Sequence, residues 1–265
     1  MDNSLSDRVL SYVDNSDYLL LKKVPVVIVL NGRSFSKATS LLEKPYAPEF
    51  IELMTAAMIK LCQEADGAVF AYTFNDHIVL ALRNDQNSTT EAWYGNRLQA
   101  IVSAVASIAS VEFNRLANER NVKLLGDPIF IAKAFVVPTI SELTNVVIHM
   151  QQNCFHTALS HAAFYELWKE MGTNKATDML EGKSSKEKAA ILYDTCHIEF
   201  NSYPTPFKRG VAAYRVPKFN PKTKEIKHKL TINDELPIFS QEKDWLLSLL
   251  KTGSDTLAMD NGASK

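Results

Sequence analysis

Two apolar runs, AVFAYT at 68–73 and HIVLALR at 77–83, are separated by only Phe74-Asn75-Asp76. Strands joined so closely have one option, an antiparallel hairpin, because a parallel pair needs a crossover of about a dozen residues or more. The hairpin lifts Asp76 to its tip. A third run, PVVIVLN at 25–31, is rich in valine and isoleucine and reads as a buried strand. Between these strands Pro48 opens a helix carrying Phe50, Leu53, Met54, Ala57, Met58 and Leu61 at helical spacing, with a stop near Asp66-Gly67.

A second long helix is expected over 91–116, burying Leu98, Ile101, Val102, Val105, Ile108 and Ala109, followed by a strand over 129–136. Strand, helix, strand, strand, helix, strand is the split βαβ order of ferredoxin-like domains, which also builds polymerase palms. The expected fold class is therefore α+β: a ferredoxin-like palm (βαββαβ) over 1–138, then a helical extension with a basic β-hairpin over 139–251. Thr139 and Glu142 have capping-box spacing before a helix reaching about 171, and Ser184 with Glu187 offers a second cap. Residues 211–217 and 226–232 read as strands joined at Asn220-Pro221, and a last amphipathic helix is expected over about 241–251. Residues 252–265 are polar and small, and disorder is expected there.

The 265 residues suffice for one sizeable core. A net charge of −1 gives no overall pull on nucleic acid, so any such binding needs a local basic face. Cys62, Cys154 and Cys196 are too scattered for a disulfide framework or a zinc site, which suits a reducing compartment. The start, MDNSLSDRVL, lacks the basic and apolar regions of a signal peptide. No unbroken apolar run approaches the roughly 20 residues of a membrane span. A cytoplasmic protein without a membrane partner is expected.

Nucleotidyl transfer on a palm uses carboxylates at adjacent strand ends to hold two Mg²⁺ ions against a triphosphate. Here the first strand ends at Asn31 with Asp76 beside it. Either these residues contribute to such a site, or Asn-Gly and Asn-Asp serve as ordinary turn dipeptides. Gly32, Arg33, Ser34 and Phe35 offer backbone amides that could nest a phosphate. Lys44 precedes a helix N-terminus, a place for phosphate or for a solvated loop lysine. Lys218, Lys222, Lys224, Lys227 and Lys229 crowd the late hairpin, just after Lys208 and Arg209. They suit either tracking of RNA phosphates or protection of a sheet edge. Phe207, Tyr214 and Phe219 could stack bases or pack in the core, and Trp93, Trp168 and Trp245 read as helix packing.

The segments VLNGRSFSKAT, LLEKPYAPEFIELM, AYTFNDHIVLAL, NRLQAIVSAVAS, LEGKSSKEKAAIL and YPTPFKRGVAAYR, in this order, resemble the tRNA-His guanylyltransferase family over about residues 24–217. The resemblance implies a nucleotidyltransferase that binds GTP or another NTP and an RNA (tRNA) 5′ end. It implies 3′-to-5′ nucleotide addition with Mg²⁺ by a homo-oligomer, dimer or tetramer; His77 could instead favour Mn²⁺ or another softer metal. Asp76 matches a metal aspartate, and Gly32, Arg33 and Phe35 match the family's metal and triphosphate motif, with Ser34 and Asn75 alongside. Lys44 matches a Lys-Pro lysine, Arg97, Ser103 and Ser107 fit a helix motif, and Lys208, Arg209 and Gly210 fit a late basic motif.

The departures are specific. Asn31 replaces the first metal aspartate, His77 replaces a glutamate, and Ala100 replaces a helix lysine; Asn153 and Thr157 fall where an Asp and an Asn are expected. Asn31 and His77 remove two formal negative charges from around a dication pair, and hard cations select anionic oxygen. A loss of this kind costs on the order of 10²-fold in rate. The sequence thus leaves two outcomes: an attenuated enzyme with Asp76, Asn31, Gly32 and His77 around the metal, or a pseudoenzyme that senses nucleotide or RNA.

Overall fold

The computed structural model describes residues 4–86, 89–220 and 225–251. In chain order the elements are α1 (Leu5–Asp14), β1 (Val26–Arg33), α2 (Phe35–Ala38), α3 (Pro48–Glu64), β2 (Ala68–Phe74), β3 (His77–Leu82), α4 (Leu98–Glu119) and β4 (Ile129–Val136). There follow α5 (Ile140–Met171), α6 (Thr173–Leu180), α7 (Ser185–Cys196), α8 (Thr205–Arg209), β5 (Val211–Asn220), β6 (Glu225–Asn233) and α9 (Lys243–Lys251).

The strands form one antiparallel sheet in the order β4-β1-β3-β2-β5-β6. Its first four strands, with α3 and α4 as crossovers, are the expected ferredoxin-like palm. β5 then pairs with β2 through Phe70↔Tyr214 and Thr73↔Val211, so the C-terminal hairpin widens the palm sheet. One face of the sheet packs α3 and α4 through Leu53, Met58, Leu61, Ile101, Val105 and Phe113. The other face packs α5 and α9, with Val147, Cys154, Leu246 and Leu250 against Val27, Phe70 and Tyr72. Covered on both sides, β2 is buried along its whole length, which is why its sequence is a continuous apolar run rather than an alternating one. Each fully buried aliphatic residue such as Ile78 or Leu80 contributes about 1.5–3 kcal/mol of burial. A third cluster, including Ala158, Leu167, Ala176, Leu192, Phe200 and Phe207, fixes α6, α7 and α8 against α5.

Several boundaries differ from the sequence expectation for identifiable reasons. The β2–β3 turn has two residues, not three, because Phe74 pairs with His77 and Asn75 takes φ 44°, the left-handed geometry of a tight hairpin. The helix expected from 91 begins only at Leu98: Tyr94, Gly95 and Asn96 have φ of 48°, 61° and 65°, which an α-helix cannot contain. Trp93 therefore sits in a short 3₁₀ turn. Thr139 caps α5 by accepting from the Glu142 amide at 3.2 Å, but the Glu142 carboxylate turns to Asn145, so the box is half made. At α7 it is complete, Ser184 and Glu187 each bonding the other's backbone amide. The short helices α1, α2, α6 and α8 have no counterpart in the sequence expectation.

Trp93 and Trp245 pack against the core, whereas Trp168 is 45% exposed and does not. Tyr214 stacks on Phe70 at 6.3 Å between ring centroids, so it is core rather than a base platform. α4 is the one helix among the described residues long and apolar enough to match a membrane span. Its apolar stripe, Ile101, Val105, Ala109, Phe113 and Ala117, is covered by the sheet. The joining turn at 221–224, with Lys222 and Lys224, and the tail 252–265 lie outside the described residues.

Candidate nucleotide site

At one end of the sheet the close of β1 is bonded to the β2–β3 turn. Asn31 lies opposite His77, and the Gly32 amide donates to the Asp76 carbonyl at 2.8 Å. Beside this junction is a cavity of about 370 Å³. Its walls are the segment after β1 (Gly32, Ser34, Lys44), the start of α3 (Phe50, Ile51), the turn (Asn75, Asp76, His77), α8 (Phe207) and one face of α5. That face presents Thr157, His161 and Tyr165, each four residues from the next and so stacked along the helix. A volume of this size suits a nucleoside or comparable small molecule.

Asp76 Oδ1 lies 2.9 Å from His77 Nδ1, and the His77 ring stacks on Phe74 at 5.0 Å and 14°. The half-buried Lys44 donates to the Thr39 carbonyl at 3.0 Å, and its Nζ stands 5.7 Å from the Tyr165 ring centroid. Burial holds its pKa below the ordinary lysine value. Among the described residues it makes no ion pair. A cation in this state favours an arriving anion. His161 keeps one side open to solvent on α5, but desolvation where it meets the cavity wall, and then the charge of Lys44, hold it below the ordinary histidine value, partly offset by Asp76.

The structure gathers only some of the residues singled out from sequence. Gly32, Ser34, Phe35, Lys44, Asn75, Asp76, His77 and Thr157 all line the cavity. Of the expected phosphate nest, the Gly32 amide is not available, being bonded to the Asp76 carbonyl. Phe35 packs its ring among Phe50, Phe113 and Phe130 at 4.9–6.1 Å. A Cβ on Gly32 would stand 2.3 Å from that ring, so the glycine is required for packing behind the cavity. Arg33 is exposed, pairs across to Ile129 and does not line the cavity.

Arg97 lies elsewhere: it precedes α4, is bonded to Asp17 at 2.8 Å, and follows the end of β3 where Leu82 pairs with Val26. Val26 and Asn31 are about 17 Å apart at a strand's rise, so Arg97 belongs to the opposite end of the sheet. Ser103 donates to the Gln99 carbonyl within α4, and neither it nor Ser107 lines the cavity. Asn153 bonds His149 on α5 and does not line it either. Lys208 and Arg209 direct their side chains to the carbonyls of Asn201 and Leu236. Their neighbours Pro206 and Phe207 line the cavity instead, and Phe207 is buried in contact with Tyr46 and so does not offer a free stacking face. His161 and Tyr165 were missed from sequence, although their spacing from Thr157 is the signal that could have found them.

The donor set can be tested against the metals that such strand ends imply. Asn31 Oδ1 is buried with no hydrogen-bond partner, which suits an oxygen waiting for a cation or its water. Asp76, in the turn that precedes His77, the pairing partner of Asn31, supplies a carboxylate that lines the cavity, whereas Asn31 itself does not line it. Among the described residues no group of three His, Cys, Asp or Glu side chains gathers to hold a metal. One neutral oxygen and one carboxylate fit a single hard cation; they do not fit a dication pair.

Comparison with known proteins gives this geometry a family. A family model described as tRNAHis guanylyltransferase matches residues 7–138, and one described as Thg1 C terminal domain matches residues 142–245. The chain is 27% identical to tRNA(His) guanylyltransferase 2 of Arabidopsis thaliana, over 74% of its own length and 37% of that protein. It is 24% identical to the probable tRNA(His) guanylyltransferase of Dictyostelium discoideum over 92% of its length and 96% of that protein. The chain thus spans little more than a third of the Arabidopsis relatives, 37% and 35%. A bacterial tRNA(His) guanylyltransferase-like protein solved with ATP shares the fold at TM-score 0.79 and 24% identity, over 93% of this chain and 99% of that one. A second, solved with GTP, gives 0.71 and 23% over 93% and 98%. The two family models together take in most of the palm, the cavity walls and nearly all of α5 through β6, and on that match the chain belongs to the tRNA-His guanylyltransferase family.

Proposed function

We propose that this chain is a tRNA-His guanylyltransferase-like nucleotidyltransferase that holds a nucleoside triphosphate in the strand-end cavity and adds a nucleotide to an RNA 5′ end. The observation that carries the reading is the cavity itself: nucleoside-sized, beside Asp76, with an unpaired half-buried lysine inside it. The apolar wall of Phe50 and Ile51 suits a base, and Lys44 suits the phosphates. One Mg²⁺, held by the Asp76 carboxylate with Asn31 Oδ1 as a neutral ligand, would supply Lewis-acid polarisation of a phosphate. His77 orients Asp76 through their 2.9 Å contact and keeps its carboxylate at the turn. The tRNA 5′ end would reach the cavity from the side of α8 and the basic hairpin. Assembly into a dimer or tetramer belongs to the same reading and is supported by α1, whose apolar Leu5, Leu10 and Val13 are exposed.

The test is incubation of the full chain with Mg²⁺, labelled GTP and a 5′-activated tRNA. Slow addition, abolished by Asp76→Ala, is expected, and Asn31→Asp should tighten Mg²⁺ binding in calorimetry. An intact protein that binds GTP yet adds nothing would exclude the enzymatic reading and leave a nucleotide-binding pseudoenzyme.

A further inference from the structure

Trp168 is the tryptophan that the cores leave out. Trp93 is buried, and Trp245 packs against Tyr214 and Phe239 at 5.9 and 6.1 Å between ring centroids. Trp168 is exposed and belongs to none of the three apolar clusters. Among the described residues its one ring contact is Tyr165, met edge-to-face at 6.3 Å and 89°. Tyr165 in turn meets the His161 ring at 6.2 Å. Residues 161, 165 and 168 are spaced as neighbours on a helix surface, so the three rings form one stripe along α5. The first two line the cavity; Trp168 carries the stripe about 4.5 Å further along the helix, beyond the lining.

A ring of this size left in water forgoes the burial that a tryptophan normally gains. Its surroundings decide what can cover it. A protein partner would ask for an apolar core to its interface, whereas the nearest exposed or half-exposed residues along the chain are Glu166, Lys169 and Glu170. The ring is thus a single flat apolar surface in a polar setting, which suits one nucleic-acid base. The two carboxylates do not oppose an RNA strand there. Both are directed to the α7 side, close enough to act on the Cys196 thiol, and Glu166 is paired with Lys169 at 3.0 Å. Tyr203, just before α8, donates to Glu166 at 3.0 Å and ties this end of α5 to the side from which the RNA is expected to arrive.

We infer that Trp168, backed by Tyr165, is a stacking platform for the terminal base of an RNA 5′ end presented to the cavity. This rests on the reading above, in which a nucleotide and an RNA end meet at the cavity, and adds to it the surface that positions the RNA. Trp168 is a positioning residue: fixing the base beside the cavity limits where the attached 5′ phosphate can go. Every base has a π-face, so the platform orients an end without choosing its sequence.

The experiment titrates the full chain with a 3′-labelled, 5′-triphosphorylated acceptor-stem hairpin RNA whose first nucleotide is unpaired, and with the same hairpin made abasic there. Anisotropy gives the affinity, and tryptophan quenching reports Trp168, since Trp93 and Trp245 are packed. The intact hairpin should quench the fluorescence and bind about tenfold more tightly than the abasic one. Trp168→Ala should lose that tenfold for the intact hairpin and nothing further for the abasic one, while Trp168→Phe should recover most of it. Thermal unfolding checks that both variants remain folded. Equal affinity of Trp168→Ala and the unaltered chain for the intact hairpin would overturn the platform, as would an abasic penalty undiminished in Trp168→Ala. An oligomer lost in Trp168→Ala, with RNA affinity retained, would assign the ring to a second copy of the chain instead. Titration of the unaltered chain with the β,γ-imido analogue of GTP tests the nucleotide reading separately. Analogue binding without RNA binding would refute the RNA half of that reading and the platform with it. Trp168-dependent RNA binding without analogue binding would sustain the platform and refute the nucleotide half.

Discussion

Gly210 sits where α8 turns into β5, with φ 75° and no room for a side chain. A Cβ there would lie 2.5 Å from the Thr73 carbonyl and 2.7 Å from the Tyr72 hydroxyl. The same hydroxyl donates to the Arg209 carbonyl at 2.7 Å, so the basic motif is held to β2 by one buried bond and one missing side chain. Gly210→Ala should combine left-handed strain with overpacking, each about 1–3 kcal/mol, and lower the urea midpoint accordingly. The late motif therefore reads differently in three dimensions than along the chain. Its glycine is demanded by β2, and its two cations satisfy backbone carbonyls. Sequence could show that Lys208, Arg209 and Gly210 belong together; it could not show that their backbone docks on Tyr72, 137 residues before Arg209, while the two cations turn to Asn201 and Leu236. The meeting of Asn31 with the turn that carries Asp76 was legible because strand ends are local features, whereas His161 joined the cavity wall only when α5 crossed the end of the sheet.

Among the elements, α7 is the cleanest case of local chemistry deciding structure. Its reciprocal Ser184–Glu187 cap was readable from four residues and is fully formed. Ser184→Ala should cost about 1 kcal/mol, measured by chemical denaturation, with the loss confined to the α5–α7 cluster in hydrogen exchange. Glu187→Gln should cost less, since an amide can still accept at the same point. The palm strands were legible for a related reason: β2 and β4 are short apolar runs with turn residues at their ends. Residues 91–97 were not, because apolar spacing continued while Tyr94, Gly95 and Asn96 adopted left-handed backbone. Asn96 shows why the deviation persists: buried, it donates to the Leu21 carbonyl at 3.0 Å and accepts from Asn84 at 3.2 Å. Helix periodicity carries no information about such a buried polar clasp. α1 escaped notice because its residues bury nothing within the chain.

Across the whole molecule, the cavity ties stability to pH. The folded state holds His161 below its ordinary value of 6.5, so the unfolded chain takes the proton first as pH falls. Stability should therefore drop as pH falls through 6.5 towards the folded value, and this component should be level above that window. His161→Asn should remove it, seen as a smaller difference between urea midpoints at pH 7.5 and 5.5 than in the unaltered protein. An equal difference in both would assign the acid sensitivity to other groups. The pairing of β5 with β2 sets a further, temporal requirement. While only the first 138 residues have left a ribosome, β2 is an open sheet edge with Phe70 and Tyr72 lacking their cover, the kind of edge that recruits stray strands. The wall formed by α5 arrives next, and the edge closes only when Val211 to Tyr214 are synthesised. The strand-end cavity is thus finished late in translation, and a chain cut short before α8 presents a sticky edge and lacks the wall that α8 would have closed.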